Sequence, residues 1–126
     1  MKNLLVFLEA YLRLIGHDAF MSRHDLAALH KQIRDFPRRP ATMCGQETEL
    51  VCSALDAACA IYPRQVLCLQ RSTVLVKMLR RRGAPAHMII GAQKLPFKAH
   101  AWVEIDGAII GDRLASRERF LVLEVC

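Results

Sequence analysis

Three residues in the second half of the chain have the chemistry of a nucleophile, a base and an orienting carboxylate. Cys68 opens a run with helical apolar spacing, His100 lies inside KAHAWVEI, and Asp112 closes AIIGD. Backbone N–H groups at a helix start stabilise a thiolate, the reactive form of cysteine. A histidine can take the thiol proton and return it to a leaving amine, while an aspartate fixes the imidazole tautomer. The order Cys, His, Asp therefore predicts nucleophilic catalysis.

Each of these residues also has a purely structural interpretation. A cysteine near a helix start is often a small buried hydrophobe, and a histidine or aspartate in a strand can simply satisfy local hydrogen bonds. Trp102, on the same strand face as His100, fits a core position as well as an active-site wall. For an oxyanion donor, the backbone N–H of Cys68 is preferred over Gln65, which also fits a solvated loop.

The remaining cysteines and histidines predict neither disulfides nor a metal site. The five cysteines are odd in number and lack paired short spacings, so a reducing cytoplasm is the expected compartment. Cys52 and Cys59 are predicted to be core residues, and Cys44 and Cys126 receive no chemistry. His17, His24 and His30 are seven and six residues apart, which does not place them on one helix face as zinc ligands. No cofactor is therefore expected.

Apolar spacing predicts four helices, over residues 3–15, 22–37, 47–61 and 67–82. Gly16 is expected to stop the first helix and Gly83 the fourth, because glycine accepts the left-handed conformation that closes a helix. Ser22 with Asp25 resembles a capping box at the start of the second. Cys68 then lies in the first turn of the fourth helix.

After Pro85 the chain predicts four short strands. AHMIIGA, KAHAWVEI, AIIGD and FLVLEV are rich in apolar and β-branched residues and are separated by turn signals. Helices followed by strands indicate an α+β fold, with the N-terminal helices packed on one face of a C-terminal antiparallel sheet, expected to be a meander.

The hairpin between the second and third of these strands decides whether the triad can form. A two-residue Asp106-Gly107 turn would pair Ala101 with Asp112, which would place the aspartate on the wrong face. A three-residue loop closed by a glycine bulge at Gly107 would instead set His100 opposite Asp112. The triad hypothesis therefore predicts the bulge.

Charge and hydropathy limit the classes of partner that this chain is expected to bind. Eighteen Lys and Arg against twelve Asp and Glu give a net charge of +6, which favours acidic partners without choosing among them. Aromatic residues make up only 6% of the chain and are not interleaved with basic ones, so nucleic acid binding is not expected. Glu9 and Arg13 interrupt the apolar start, which predicts no membrane span and no cleavable signal.

Residues 67–112 carry several short motifs in a fixed order. They are Cys-Leu-x-Arg-Ser at a helix start, Arg-Arg-Gly at a helix end, Pro-Phe-x-Ala-His-Ala-Trp-Val-Glu, and a closing Asp. This segment, about a third of the chain, resembles the transglutaminase-like leader peptidases of lasso-peptide biosynthesis. The resemblance implies a transglutaminase-like or papain-like fold, Cys68, His100 and Asp112 as the catalytic residues, and supporting roles for Arg71 and Ser72.

The same resemblance implies a substrate and partners. The enzyme would cut the leader from a ribosomally made precursor peptide, freeing the amine that a separate ATP-dependent cyclase joins into a macrolactam ring. Leader recognition in this family belongs to a small winged-helix-like element, and residues 1–45 are predicted to be helices instead. We therefore expect a single domain, with a helical arm over 1–45 that could dock a partner, a peptidase core over 46–126, and a recognition protein supplied in trans.

Two other functions remain open at this stage. The same Cys-His-Asp geometry serves amine or acetyl transfer as well as hydrolysis, because all proceed through an acyl-thioester. A non-catalytic module that only presents a peptide groove is the alternative of another class. Loss of function on Cys68→Ala would separate the enzymes from the binding module.

Overall fold

The computed structural model describes residues 2–40, 45–94, 96–111 and 120–126. Four helices precede four strands: α1 Lys2–Met21, α2 Leu26–Asp35, α3 Gly45–Ile61, α4 Cys68–Arg81, β1 Ala86–Gln93, β2 Lys98–Ile105, β3 Ala108–Ile110 and β4 Leu121–Val125. The α+β fold and the number of helices and strands in the described part are those expected from the sequence. Arg38 and Arg39 lie between α2 and α3, outside any regular element.

The first helix continues through Gly16, so the predicted stop at that residue is wrong. A glycine inside a helix costs about 1 kcal/mol relative to alanine. Burial outweighs that cost, since Val6, Ala10 and Leu14 enter the core and His17 continues the same buried face. The helix ends five residues after Gly16, at Met21.

The second helix is capped by Asp25, whose carboxylate accepts a hydrogen bond from the backbone N–H of Ala28 at 2.9 Å. The capping box predicted from Ser22 is wrong, because the Ser22 hydroxyl donates to the carbonyl of Ala19 at the end of α1. A serine hydroxyl can serve either helix, and the sequence does not say which one.

The fourth helix begins at Cys68 and ends just before Gly83, as predicted. Gly83 has a φ of +97°, and its N–H donates to the carbonyl of Arg80 at 3.0 Å. The left-handed glycine thus closes the helix and turns the chain towards β1.

The sheet is antiparallel, with the strand order β3-β2-β1-β4. The first three strands form the expected meander, but β4 pairs with the far edge of β1 instead of with β3. The predicted meander of four strands is therefore wrong, and the order is that of a Greek key. Hydrophobic alternation identifies a strand without saying which edge of the sheet it joins.

The hairpin between β2 and β3 has a two-residue turn, so the predicted glycine bulge is wrong. Ile105 pairs directly with Ala108, and both Asp106 and Gly107 have positive φ, at +50° and +83°. Positive φ at both central residues defines the type I′ turn, which Asp-Gly favours and whose twist matches that of the strands.

Two apolar clusters lie on opposite faces of the sheet, as strand alternation requires. The larger one joins the helices to the face that carries Met88 and Val103, and the smaller one contains Ile89, Trp102 and Phe120. Helices α1 and α2 contribute to the larger cluster, so the arm over 1–45 packs on the same core as the rest; its boundary at residue 45 stays a prediction. Within the described residues, no helix is long and apolar enough to cross a bilayer.

Candidate active site

Cys68 is the first residue of α4 and is half-buried. The preceding Leu67 has the extended backbone of an N-cap, but its side chain makes no capping hydrogen bond. Its carbonyl accepts the first helical bond, from the N–H of Arg71 at 3.0 Å. A helix start without a side-chain cap leaves N–H donors for an anion, in this case at the thiol itself.

The first turn of α4 is held by hydrogen bonds to two other helices. Gln70 is buried, and its Nε2 donates to the carbonyl of Leu14 in α1 at 3.0 Å. The guanidinium of Arg71 donates twice to Oδ1 of Asp56 in α3, from Nε at 3.0 Å and from Nη2 at 2.9 Å. These bonds fix the position and direction of the helix start that carries Cys68.

A buried hydrogen bond ties the same turn to the strand that carries His100. Ser72, one turn after Cys68, donates from Oγ to the backbone carbonyl of Ala101 at 2.9 Å. Because Ala101 follows His100 directly in β2, the bond fixes the backbone beside the histidine relative to the helix. Arg71 and Ser72 thus have the supporting contacts that the sequence led us to expect.

The imidazole of His100 lies half-buried against two aromatic rings. Ring centroids are 5.6 Å from Phe120 and 6.0 Å from Trp102, in stacked geometry. Gly91 pairs with His100 across the sheet, and a Cβ there would lie 2.8 Å from Cβ of Phe120 and 2.9 Å from Cη2 of Trp102. Only glycine permits both rings to approach this closely.

Trp102 is itself fixed by a buried carboxylate. Its indole Nε1 donates to Oε2 of Glu104 at 2.8 Å, and both residues are buried. The core interpretation of Trp102 is correct, since the ring belongs to the smaller apolar cluster. The ring also stacks on His100, and its role as an active-site wall stays a prediction. Gln65 is exposed in the loop before α4, as its structural interpretation predicted.

Asp112 lies outside the described residues, so the predicted orienter has no observed position. Gly111 immediately before it is described, and a Cβ there would lie 3.1 Å from Nη2 of Arg71 and 3.1 Å from Sγ of Cys52. Gly111 therefore lies beside the guanidinium of Arg71 from α4 and the thiol of Cys52 from α3.

The register argument that set His100 opposite Asp112 fails, because the two-residue turn would pair Asp112 with Ala101 if the ladder continued. The strand ends at Ile110, however, and Gly111 has a φ of +66°, which is not strand geometry. Alternation along β3 consequently no longer decides on which side Asp112 lies, and its role stays a prediction.

Three other cysteines have the character of structural thiols. Cys52 and Cys59 are half-buried and pack against the larger cluster, and Cys126 is buried. Burial raises the pKa of all three thiols, most directly by disfavouring the thiolate. These cysteines thus lack the environment of a nucleophile, in agreement with the sequence prediction.

Within the described part of the chain, one group of side chains has the composition of a metal site. Ligand atoms of His30, Glu124 and Cys126 all lie within 4.8 Å of one another. The Glu124 carboxylate already contacts Nδ1 of His30 and Nη1 of Arg34, each at 2.6 Å. The group is accounted for as an ion-pair network that joins α2 to β4, and we assign it no metal.

A family model described as the transglutaminase-like superfamily matches residues 4–125. The chain belongs to the transglutaminase-like superfamily. The microcin J25-processing protein McjB of Escherichia coli is 38% identical to it over 56 residues, which are 44% of this chain and 27% of that protein. The match thus spans about a quarter of McjB. No solved structure matches the chain.

The sequence selected Cys68 and His100 as candidate reactive groups but did not predict several residues that pack around His100. Phe120 and Glu104 support the rings around His100, and nothing in their local sequence predicts that contact. Gly91 did carry a signal, because a glycine inside a strand often marks a close approach of another group.

Proposed function

We propose that this protein is a cysteine peptidase that removes the leader from a ribosomally made lasso-peptide precursor. Cys68 is the nucleophile, His100 the base and Asp112 the residue that orients His100. Leader recognition is supplied by a separate protein, the ATP-dependent cyclase consumes the product, and the reaction takes place in the cytoplasm.

The observation that carries the proposal is the uncapped start of α4. Cys68 lies at a helix N-terminus that offers backbone N–H groups, and Ser72 in the next turn bonds to the carbonyl of Ala101, the residue after His100 in β2. Membership of the transglutaminase-like superfamily supports thiol chemistry at this helix. The relative named as a microcin J25-processing protein supports precursor processing as the biological role.

The proposed reaction has two steps. The Cys68 thiol passes its proton to His100, and the thiolate attacks the scissile carbonyl carbon to form a tetrahedral intermediate. The C–N bond then breaks as the imidazolium returns the proton to the leaving amine, which is the new N-terminus of the core peptide. Water, deprotonated by His100, cleaves the resulting acyl-thioester and releases the leader as a carboxylate, restoring the thiol.

The oxyanion of each tetrahedral intermediate needs preformed donors. The backbone N–H of Cys68 belongs to the first turn, where helical N–H groups have no partner within the helix. We expect that donor to contribute about 3 kcal/mol of transition-state stabilisation, the magnitude measured for one donor in other acyl-transfer enzymes.

The decisive experiment incubates the protein with a lasso precursor and its recognition protein and follows leader release by mass spectrometry. We expect Cys68→Ala to abolish release, because no other described thiol has a reactive environment, while Cys59→Ala, the matched control, retains it. His100→Gln is expected to be inactive, and Asp112→Asn strongly impaired. Unchanged leader release by Cys68→Ala would overturn the proposal.

The same experiment separates hydrolysis from acyl transfer. Hydrolysis gives a leader with a free carboxylate, whereas transfer to an added amine gives a leader whose mass is increased by that amine. A product of the second kind, formed in preference to the acid, would assign the site to a transferase.

A further inference from the structure

Helix α1 carries an apolar stripe that the described fold leaves exposed. Five large side chains have exposed fractions of 45–67%: Leu4, Leu5, Leu8, Leu12 and Ile15. Their spacing puts them on one face of the helix, while Val6, Ala10 and Leu14 bury the opposite face. From Leu4 to Ile15 the stripe runs for about 17 Å, or three helical turns. Contiguous exposed apolar surface of this kind marks an interaction site.

The stripe forms one wall of a groove between α1 and α4, which we call the α1–α4 groove. It has a volume of about 690 Å³. Leu5, Leu8 and Leu12 line it from α1, and Lys77 and Arg81 line it from α4. The lining thus combines large apolar side chains with charged ones, so the groove suits an occupant that has both apolar and charged groups.

The cations of the α1–α4 groove outnumber its carboxylates. Glu9 is the carboxylate in the lining, and it already accepts from Arg13 at 3.1 Å and from Arg82 at 2.8 Å. Burial acts to raise the pKa of Glu9, but these hydrogen bonds outweigh it, and the pKa lies below its ordinary value. The charge of Glu9 is therefore already neutralised by Arg13 and Arg82, and it does not compensate the other cations of the groove.

Lys77 is the cation whose charge is least compensated. It is half-buried, and its Nζ donates to Oε1 of Gln32, a neutral partner. Burial, with repulsion from Arg13, lowers the pKa of Lys77 to about 8. His17 also lines the groove, and its Nδ1 has no hydrogen-bond partner among the residues that the structure describes. An incoming carboxylate would favour the charged form of Lys77.

We propose that the α1–α4 groove binds an amphipathic helix of a partner protein, with apolar side chains against Leu8 and Leu12 and carboxylates facing Lys77 and Arg81. A helix laid in an apolar groove uses anchors at the i, i+3, i+4 and i+7 positions, which a stripe of three turns can meet. A small ligand would cover only part of that length.

Charge and shape exclude the other occupants. A second copy of this chain, with a net charge of +6, would bring more positive charge to a cationic groove. An anionic membrane surface would meet the leucines of α1, but a flat surface does not reach the half-buried ammonium of Lys77 in the groove. The inference does not depend on the proposed peptidase activity, since binding is measured on Cys68→Ala as readily as on the native chain.

The test measures fluorescence anisotropy with a labelled helical peptide of 18 residues that carries leucines on one face and glutamates on the other. We expect the native protein to bind it, and to bind the same peptide with lysines in place of the glutamates at least about tenfold more weakly. Absence of binding to the glutamate peptide, or equal binding of both peptides, would overturn the proposal.

Matched variants locate the binding site. Leu12→Lys is compared with Leu121→Lys, since the two leucines are 65% and 66% exposed. Lys77→Gln is compared with Lys31→Gln, an exposed lysine of α2. We expect the groove variants to weaken binding by about tenfold, as a contact residue of an interface does, and their controls to leave it unchanged.

Two further measurements decide between occupants. Sedimentation of the native chain tests for a dimer, and flotation with phosphatidylglycerol vesicles tests for membrane binding. We expect a monomer that does not float. A dimer that dissociates on Leu12→Lys, or vesicle binding that the same substitution removes, would assign the stripe to that occupant instead.

Discussion

The two ends of α4 differ in how completely their backbone groups are bonded. At the start, Leu67 provides no side-chain cap above Cys68. At the other end, Gly83 closes the helix and Arg82 donates to the carbonyl of Met78 at 3.0 Å and to Glu9 of α1 at 2.8 Å. Among the described residues, the C-terminal end of α4 is closed by side-chain and backbone hydrogen bonds, and the N-terminal end has no side-chain cap from Leu67.

Arg80 is the residue that makes the closed end rigid. Its side chain is buried and donates to four backbone carbonyls in three segments: Ala86 in β1, Ile33 and Phe36 at the end of α2, and Cys126 after β4. The guanidinium has five N–H donors in a fixed plane, which few other side chains can replace.

One helix can therefore be anchored without a side-chain cap at its start. The contacts at the C-terminal end, together with those of Gln70, Arg71 and Ser72 near the first turn, hold the helix, while Leu67 provides no cap. In the proposed function, the first-turn N–H groups bind the substrate oxyanion. The predictions below test the two ends separately, beginning with the largest effect.

Replacing Arg80 should cost the most stability. Arg80→Met removes the guanidinium donor from four backbone carbonyls, and hydrogen bonds to a charged group contribute about 1.5 to 3 kcal/mol each without being additive. We expect the free energy of unfolding to fall by about 3 to 5 kcal/mol, measured by urea titration with circular dichroism.

Two controls accompany that measurement. Arg80→Lys should recover only part of the loss, since an ammonium has three donors and no planar geometry. Arg81→Met, next to it and half exposed in its ion pair with Glu9, should change stability by less than about 1 kcal/mol. Equal losses at both positions would contradict the role assigned to Arg80.

Loss of the Ser72 hydrogen bond should lower the free energy of unfolding less than loss of Arg80, and should lower the rate of leader cleavage more. Ser72→Ala leaves the Ala101 carbonyl without its described side-chain donor, at a cost of about 1 to 3 kcal/mol. Since the bond sets the His100 strand relative to the helix, we also expect leader cleavage to fall by about tenfold or more, with the loss mainly in kcat.

Thr73→Val is the matched control for that substitution. Thr73 follows Ser72, but its hydroxyl donates to the carbonyl of Leu69 within the helix, at 2.8 Å, and contacts the thioether of Met88 in β1 at 3.7 Å, rather than the strand that carries His100. Equal loss of kcat in both variants would show that the link to β2 has no special role.

Capping the open end should have the smallest effect on stability, and that effect should be a gain. Leu67 is exposed, and Leu67→Ser introduces a hydroxyl that can accept from a first-turn N–H, worth about 0.5 to 1 kcal/mol. The same bond competes with an oxyanion, so we expect the thermal midpoint to rise and kcat to fall. Leu67→Ala, which removes the same side chain without adding an acceptor, should do neither.

The secondary structure was largely predictable because local signals determine it. Apolar periodicity placed all four helices and all four strands of the described structure, and Gly83 ended α4 as its conformational freedom predicts. The error at the end of α1 arose because a tertiary contact outweighed a local preference. Gly16 did not end α1, because burial of the face continued by His17 outweighed the cost of a glycine in a helix.

The candidate site was also predicted in part. Residue type, order and motif selected Cys68 and His100, and the helix start placed Cys68 where it was expected. The register predicted for the hairpin was wrong, because Asp106 and Gly107 form the tighter turn that their own preferences favour. The glycine bulge was predicted only because the triad needed His100 opposite Asp112. The preference of Asp-Gly for a two-residue turn determined the register instead.

The sequence by itself selected Cys68 as the candidate nucleophile, predicted the helix that this residue begins, and indicated the transglutaminase-like superfamily. Only the tertiary structure decided that Ser72 joins this helix to β2, that Gly91 admits Phe120 beside His100, and that β4 pairs with β1. Helix starts and turns depend on residues that are close together in the sequence, so they can be predicted from it. Contacts between residues tens of positions apart depend on how the elements pack, and packing is a property of the whole fold.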